Sequence, residues 1–380
     1  MRKIKKPKIL YLVTEDWYFW SHRLPIAKEA KNRGYIVLVA TNVSLHEKRI
    51  TDLGFRIIPL KMQRGSINLY KEFFALKQII NVYLKEKPDI VHHVSMKPVL
   101  QGSIAACFAN ISNVVNAVTG MGYIFTSNNL KARLIRPLVD VGLRFLLSRK
   151  RSLLILQNRD DMSSFIRKGI IKSHKIRLIK GSGVDTKRFQ PVFGTKKEIP
   201  VVILIGRMLW DKGVGEFVEA AGILKDSGIK ARFILVGNTD SHNSATIPLL
   251  KLEKWQREGV VEWLGHRNDI ENLLSKSNIA CLPSYREGMP KFLLEAASCG
   301  LPIVATDVPG CRDIVRHEEN GLLVPARNAT KLAVALKRLI ENPNLCHKIG
   351  MRGREIVIKE FAVEKVVAKT MTLYEELLQQ

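Results

Sequence analysis

Short apolar runs recur along this chain at the spacing of a βαβ series, and that alternation constrains the fold more than any other feature. Runs at 8–13, 35–41, 55–60, 89–94, 113–118, 152–157 and 175–180 have the length and composition of buried strands. Helical patterns at about 69–86, 98–109, 130–149 and 159–169 separate them, and 21–34 reads as a helix that Gly34 stops. Continuous apolar strands alternating with helices imply a parallel sheet covered on both faces. Residues 181–200 carry Gly, Pro and charge with little periodicity and read as a linker. A second series follows at 201–205, 231–237, 260–265, 279–283 and 302–306, with a last strand at 321–325. The expectation is an α/β chain of two Rossmann-like domains, 1–190 and 191–361, closed by a helix at 362–380.

A chain of 380 residues, 46% of them hydrophobic, can give each domain its own core. Neither half carries a G-x-G-x-x-G fingerprint, which argues against a nicotinamide or flavin enzyme. The five cysteines (Cys107, Cys281, Cys299, Cys311, Cys346) show no paired spacing. Cys281 and Cys107 fall in apolar runs, so buried reduced thiols are expected. No C-x2-C or H-E-x2-H pattern suggests a metal site, and no metal or other cofactor is expected. The start, "MRKIKKPKILYLV", reads as a leading strand, its apolar run being too short for a signal peptide. Residues 98–130 carry no charge but are broken by Gly, Ser, Asn, Thr and Pro, unlike a membrane span of about 20 apolar residues.

Two motifs carry chemistry. In "REGMPKFLLEAASCGLPIVATDVPG", 286–310, Glu287 and Glu295 flank Gly288, Met289 and Pro290 and the start of an apolar helical run. Proline suits the first turn of a helix, where its missing N–H costs nothing. Glu287 is therefore expected in a loop before a helix and Glu295 inside it. The N–H groups of a helix start favour phosphate. Carboxylates on either side would hold sugar hydroxyls, the layout of a nucleotide-sugar. Each Glu alone also fits an ordinary role, one favouring the helix dipole and one solvated surface, so the whole string carries the reading. In "VVILIGRMLWDKG", 201–213, a buried strand ends at Gly206. Arg207 and Lys212 follow at its mouth, where open α/β sheets bind ligands. Arginine grips a diphosphate with a two-pronged fork, and lysine adds a point charge.

Together these strings resemble the E-x7-E and G-R-x4-K-G elements of the retaining family 4 glycosyltransferases, and "CGLPIVATDVPGCRDIV" continues the resemblance. The likeness is specific over about 201–325. It implies the GT-B architecture: two Rossmann-like domains facing a cleft, an N-terminal acceptor-binding domain, a C-terminal nucleotide-sugar domain and a closing helix, 362–380, that crosses back. It implies a hexosyltransferase-type enzyme that needs no metal and moves a sugar, an N-acetylhexosamine or relative, from a UDP-sugar to a glycan acceptor. Arg207 and Lys212 would neutralise the departing diphosphate. Glu295 would hold the ribose, and Glu287 the donor sugar, with Gly288, Met289, Pro290 and Lys291 beside it. The loop at Gly265 to Arg267 would hold the uracil. Retention follows from the resemblance alone; a nucleophilic Glu287 and a same-face mechanism with no nucleophile both remain open.

The N-terminal strings "SHRLPIAKEAKNRGYIV", "SMKPVLQGSIAA" and "NAVTGMGYIF" look like a subgroup that extends lipid-linked oligosaccharides in surface polysaccharide or glycoprotein glycan assembly. His22, His93 and Lys97 near strand ends are the acceptor candidates. In place of the glycine-rich loop of many family members stands "TEDWYFWSHRLP", with no glycine.

Charge is uneven. Residues 1–190 hold 35 Lys+Arg against 12 Asp+Glu, a net of +23, and the remainder holds 26 against 23. Such a basic half points to a polyanionic partner. Residues 130–151, "LKARLIRPLVDVGLRFLLSRKR", mix cations with apolar residues like a helix lying on a membrane surface, with Phe145 or Leu146 inserting. The expectation is a cytoplasmic protein bound peripherally to the anionic inner face of the plasma membrane, with a polyprenyl-diphosphate-linked acceptor. Two rivals are a UDP-sugar 2-epimerase of the same architecture and a basic nucleic-acid-binding protein. The second lacks any helix-turn-helix, zinc or aromatic stacking motif, so no nucleic-acid partner is expected.

Overall fold

The computed structural model describes residues 6–65, 68–120, 130–192, 199–241 and 243–379. The chain divides into two compact units, Met1–Ser182 with Val366–Gln380, and Gly183–Lys365.

The first unit is built on a parallel sheet in the order β3-β2-β1-β4-β5-β6-β7. Its strands are β1 (Lys8–Glu15), β2 (Ile36–Asn42), β3 (Arg56–Pro59), β4 (Ile90–Val94), β5 (Val114–Val118), β6 (Ser152–Leu156) and β7 (Ile176–Leu178). Successive side chains of β1 enter different cores. Ile9, Tyr11 and Val13 face one side, and Leu10 and Leu12 the other. The first side is covered by α1 (Asp16–His22), α2 (Leu24–Asn32) and α15 (Val363–Gln379). The second is covered by α4 (Leu69–Glu86), α5 (Met96–Phe108) and α6 (Leu130–Leu147). Two shorter helices, α3 (Glu47–Asp52) and α7 (Arg159–Arg167), are the unit's remaining α-helices among the described residues.

The strand and helix expectations fall within a few residues of these bounds, and two helices are additional, α1 and the short α3. Helix α1 occupies "DWYFWSH", of which the sequence reading placed only Ser21 and His22 in a helix. Its aromatic composition favours no helix. The turn is fixed from outside: buried Asp16 accepts from Ser44 N (2.8 Å), Ser44 Oγ (2.5 Å) and His46 N (2.9 Å). These bonds hold the Asp16 carboxyl below its ordinary value against the opposing effect of burial.

The second unit carries a sheet in the order β10-β9-β8-β11-β12-β13. Its strands are β8 (Val201–Ile205), β9 (Arg232–Val236), β10 (Glu262–Trp263), β11 (Ile279–Leu282), β12 (Ile303–Thr306) and β13 (Gly321–Val324). Val201 and Ile203 pack with α11 (Lys291–Ser298), while Val202 and Leu204 pack with α8 (Val214–Asp226) and α13 (Ala329–Ile340). The other helices are α9 (Leu249–Arg257), α10 (Ile270–Ser275), α12 (Cys311–Ile314) and α14 (Pro343–Glu360). Part of the expected linker is core: Val184 and Phe189 are buried here, and Val184 N donates to Phe361 O. Within that linker 193–198 lies outside the described residues, as does 121–125 of "NAVTGMGYIF".

The five cysteines are free thiols. Cys281 is buried as expected, but Cys107 is only half-buried. Helix α6 corrects the insertion candidates: Leu146 is 7% exposed and faces inward, whereas Phe145 is 72% exposed.

Candidate active site

The strand order of the second unit changes direction between β8 and β11. The chain builds outward from β8 through β9 to β10, then returns to add β11, β12 and β13 on the other side. Ligands of open α/β sheets bind outside the carboxyl ends of strands at such a point. Lys212 follows β8, and Glu287 follows β11. Their side chains meet there, with Lys212 Nζ 2.5 Å from Glu287 Oε1. Ser284 Oγ donates to the same oxygen at 2.6 Å, and the Ser284 carbonyl accepts from Thr306 Oγ1. The Glu287 carboxylate is thus held by Lys212 and by Ser284, and Ser284 is itself fixed from β12.

Two glycines let the backbone close in this way. Gly213 caps the short turn Trp210–Lys212 at φ +71°, and a Cβ there would lie 2.0 Å from Pro283 O. Gly310 has φ +82°, and a Cβ there would lie 2.7 Å from the carbonyls of Glu287 and Gly288. Both positions demand glycine on conformation and on space. Tyr285 ties the two loops together: its N–H donates to Asp211 O (2.9 Å) and its hydroxyl to Glu216 Oε1 (2.6 Å). Burial, then the Glu216 carboxylate, pushes the Tyr285 phenol up to about 12.

Arg207 pairs with Asp240 at 2.5 Å, not with Glu287. Pro290 is the N-cap of α11 and not in its first turn, so Lys291 opens the helix. Lys291 lies 3.2 Å from Glu295, one turn on. Glu295 is 8% exposed, and burial raises its pKa against the opposing Lys291. Met289 packs against the core, and Gly288 is buried in the loop. Gly265, at φ +60°, accepts from Gly237 N at 2.7 Å, which sets its loop beside the turn after β9. Arg267 is exposed and forked onto Asp269 at 2.8 Å.

In the first unit, Lys97 bonds Glu72 Oε1 and Gln63 O, each at 2.8 Å. His22 stacks on Tyr18 with ring centroids 4.1 Å apart and bonds Ser21 Oγ. His93 corrects the expectation. It is fully buried, with Nε2 bonded to Tyr83 OH (2.9 Å) and Nδ1 to Asn116 Oδ1 (2.7 Å). Burial depresses it to about 4. A neutral imidazole with both nitrogens engaged in the core is a packing residue, not an acceptor contact.

Sequence reasoning missed Ser284, Tyr285, Glu216 and Asp240. Ser284 and Tyr285 stand just before the Glu287 motif; Ser284 reaches Glu287 locally, whereas the role of Tyr285 arises only from tertiary contact. Among the described residues no group of three or more His, Cys, Asp or Glu is placed to hold a metal, and no helix is long and apolar enough to cross a membrane.

The chain matches two family models, glycosyl transferase 4-like over residues 8–158 and glycosyl transferases group 1 over 185–356. It is 31% identical over 373 residues to the N,N'-diacetylbacillosaminyl-diphospho-undecaprenol alpha-1,3-N-acetylgalactosaminyltransferase of Campylobacter jejuni, covering 94% of this chain and 95% of that one. It is 28% identical over 325 residues to the UDP-Gal:alpha-D-GlcNAc-diphosphoundecaprenol alpha-1,3-galactosyltransferase of Escherichia coli, covering 82% of each. The fold superposes on the sucrose-phosphate synthase of Thermosynechococcus elongatus with TM-score 0.81 at 21% identity, covering 98% of this chain and 100% of that one. On Anabaena HepE in complex with UDP the TM-score is 0.77 at 18% identity, with the same coverage. Two parallel-sheet units and family matches in both halves make this a glycosyltransferase of the GT-B fold, and the chain belongs to the family 4 glycosyltransferases.

Proposed function

We propose that the protein transfers a sugar, an N-acetylhexosamine or relative, from UDP to a polyprenyl-diphosphate-linked glycan, with retention and without a metal. The observation that carries this reading is the Lys212–Glu287 pair at the turning point of the second sheet. Lys212 offsets charge on the departing diphosphate, and Arg207 joins it by exchanging Asp240 for phosphate. Glu287 binds donor sugar hydroxyls beside the N–H groups that open α11, and Glu295 takes the ribose. A carboxylate already held by Lys212 and Ser284 suits positioning better than nucleophilic attack, which favours the same-face mechanism. The named activities of the two bacterial relatives support a lipid-linked acceptor, and with it a role in surface polysaccharide or glycan assembly.

The acceptor is reached from the anionic face of a membrane, at the cytoplasmic side, through the first unit. The +23 balance of residues 1–190 supports this, as does the stripe Leu138, Val141 and Phe145 on α6. Arg149 is not part of that contact: its guanidinium donates to Ile111 O at 2.8 Å.

A panel of UDP-sugars, each with and without an undecaprenyl-diphosphate glycan, tests the reaction. Acceptor-dependent UDP release that survives a chelator, with an α-linked product from an α-linked donor, is expected. UDP release or sugar epimerisation without acceptor would favour the 2-epimerase instead.

A further inference from the structure

Helix α4 is apolar on two sides. Its inner side gives Ala75, Ile79 and Tyr83 to the core. Its first turns also present Leu69, Tyr70, Phe73 and Phe74 outward, each between 61% and 84% exposed. A helix covering a sheet needs only one apolar side. Nor is this a frayed end, because Asn68 caps the helix, its side chain accepting from Tyr70 N (3.0 Å) and Lys71 N (3.2 Å).

Helix α5 packs against α4 on one side and α6 on the other, so the three form one layer. On α6, Leu143 and Leu147 face the sheet, while Leu138, Val141 and Phe145 form an outward stripe at helical spacing. The outer face of the layer therefore holds two separate apolar clusters.

Its charge is one-sided. The acids of α4 and α6 are each matched by a cation: Glu72 by Lys97, Glu86 by Lys8 and Arg56, and Asp140 by Lys168. Lys77 and Lys85 on α4 stand exposed in addition, as does Arg144 on α6, which keeps its charge at the surface while donating to Lys168 O at 2.6 Å. Apolar side chains flanked by surplus cations match the boundary of an anionic bilayer, where rings enter the acyl region and cations meet headgroups.

We infer that the outer face of the α4–α5–α6 layer is a single lipid-docking surface with two insertion points, the capped start of α4 and the α6 stripe. This rests on the membrane reading above and adds α4 to it.

The test is sedimentation of the full chain with phosphatidylglycerol-containing or pure phosphatidylcholine vesicles, at low salt and at about 1 M salt, where exposed charges are screened within about 3 Å. Wild type is expected to prefer anionic vesicles and to keep a salt-resistant bound fraction. The Phe73→Ser/Phe74→Ser pair should lose that fraction and bind at least about tenfold more weakly at low salt. The Phe73→Leu/Phe74→Leu pair should retain binding, and both should turn over a soluble acceptor analogue like wild type. Wild type that binds neither vesicle overturns the membrane reading and this inference together. A serine pair that binds like wild type overturns the role of α4 alone. So does loss of soluble turnover, or a wild-type dimer in light scattering that the serine pair makes monomeric.

Discussion

In the first unit Trp17, Tyr70, Phe73, Phe74, Phe108 and Phe145 stand exposed, whereas among the described residues the exposed large apolar side chains of the second unit include no aromatic. Trp210 and Trp255 of the second unit meet edge to face, with Lys251 over both rings. Yet the two units share a plan, a parallel sheet that reverses direction near its middle. The difference lies in where each keeps its polar chemistry. The second gathers charge at the reversal point, where Lys212, Glu287 and Ser284 converge. The first buries polar groups in its core, with His92, His93 and Asn116 fully enclosed, and turns aromatics and surplus cations outward. On the proposed reading, one scaffold carries the donor site at its rim in one copy and the docking surface on its outer face in the other.

The sharpest way to break this division is at the rim. Glu287→Gln and Lys212→Ala should each lower turnover about 10²–10³-fold, the effect of one lost transition-state contact. Vesicle binding should stay at the wild-type level. Near-normal turnover in either variant removes the donor assignment, and altered vesicle binding removes the separation of roles.

The buried imidazoles of the first unit should give it the steeper acid response. His93 is depressed to about 4 by burial, and burial also holds His92 well below its ordinary value. A depressed histidine favours the neutral fold. Its contribution is full above the ordinary value of about 6.5 and is lost as pH falls toward 4, up to about 3 kcal/mol for His93. Glu295 in the second unit runs the other way: its raised pKa favours the fold at low pH, and that advantage fades as pH rises above the ordinary carboxylate range. Hydrogen exchange from pH 7 to 4.5 should show amides of the first unit losing protection first. Equal loss in both units would contradict this.

A smaller effect belongs to Gly213→Ala. The new Cβ meets Pro283 O in a left-handed backbone, and the strain should cost about 1–3 kcal/mol. Thermal unfolding reads it, and turnover should fall as well because Lys212 is displaced. The least effect is expected from Arg188→Ala, which removes an exposed pair with Glu271 worth about 1 kcal/mol or less. A larger drop in melting temperature would mean that the Arg188 turn matters more to the second unit than its exposure implies.

Most of the fold was legible because the strands are continuous apolar runs, and a central parallel strand permits little else: 201–205 and β8 coincide. Helix α1 was not legible, since three bonds from the segment after β2 hold Asp16 and local composition gives no sign of them. At the candidate site, Lys212 and Glu287 were readable as motif residues, but their direct pairing depends on β8 and β11 being neighbours. Asp240 lies in a turn with no periodicity, so its hold on Arg207 left no trace in the string. His93 misled because a histidine at a strand end looks the same whether its ring points to solvent or, as here, to Tyr83 and Asn116.

Helix α15 has a consequence in time. Its first residues belong with the second unit, where Val363 N donates to Val184 O. From Val366 onward it supplies Met371, Leu373, Tyr374 and Leu377 to the core of the first unit, and Tyr374 bonds His92 at 2.5 Å. On the ribosome these residues emerge after the whole second unit. The second unit can therefore mature while the first still waits for its last helix, with Tyr11 and His92 lacking the cover of Tyr374. A chain ending just before Val366 would carry a complete second unit joined to a sheet covered on one side by α1 and α2 without α15.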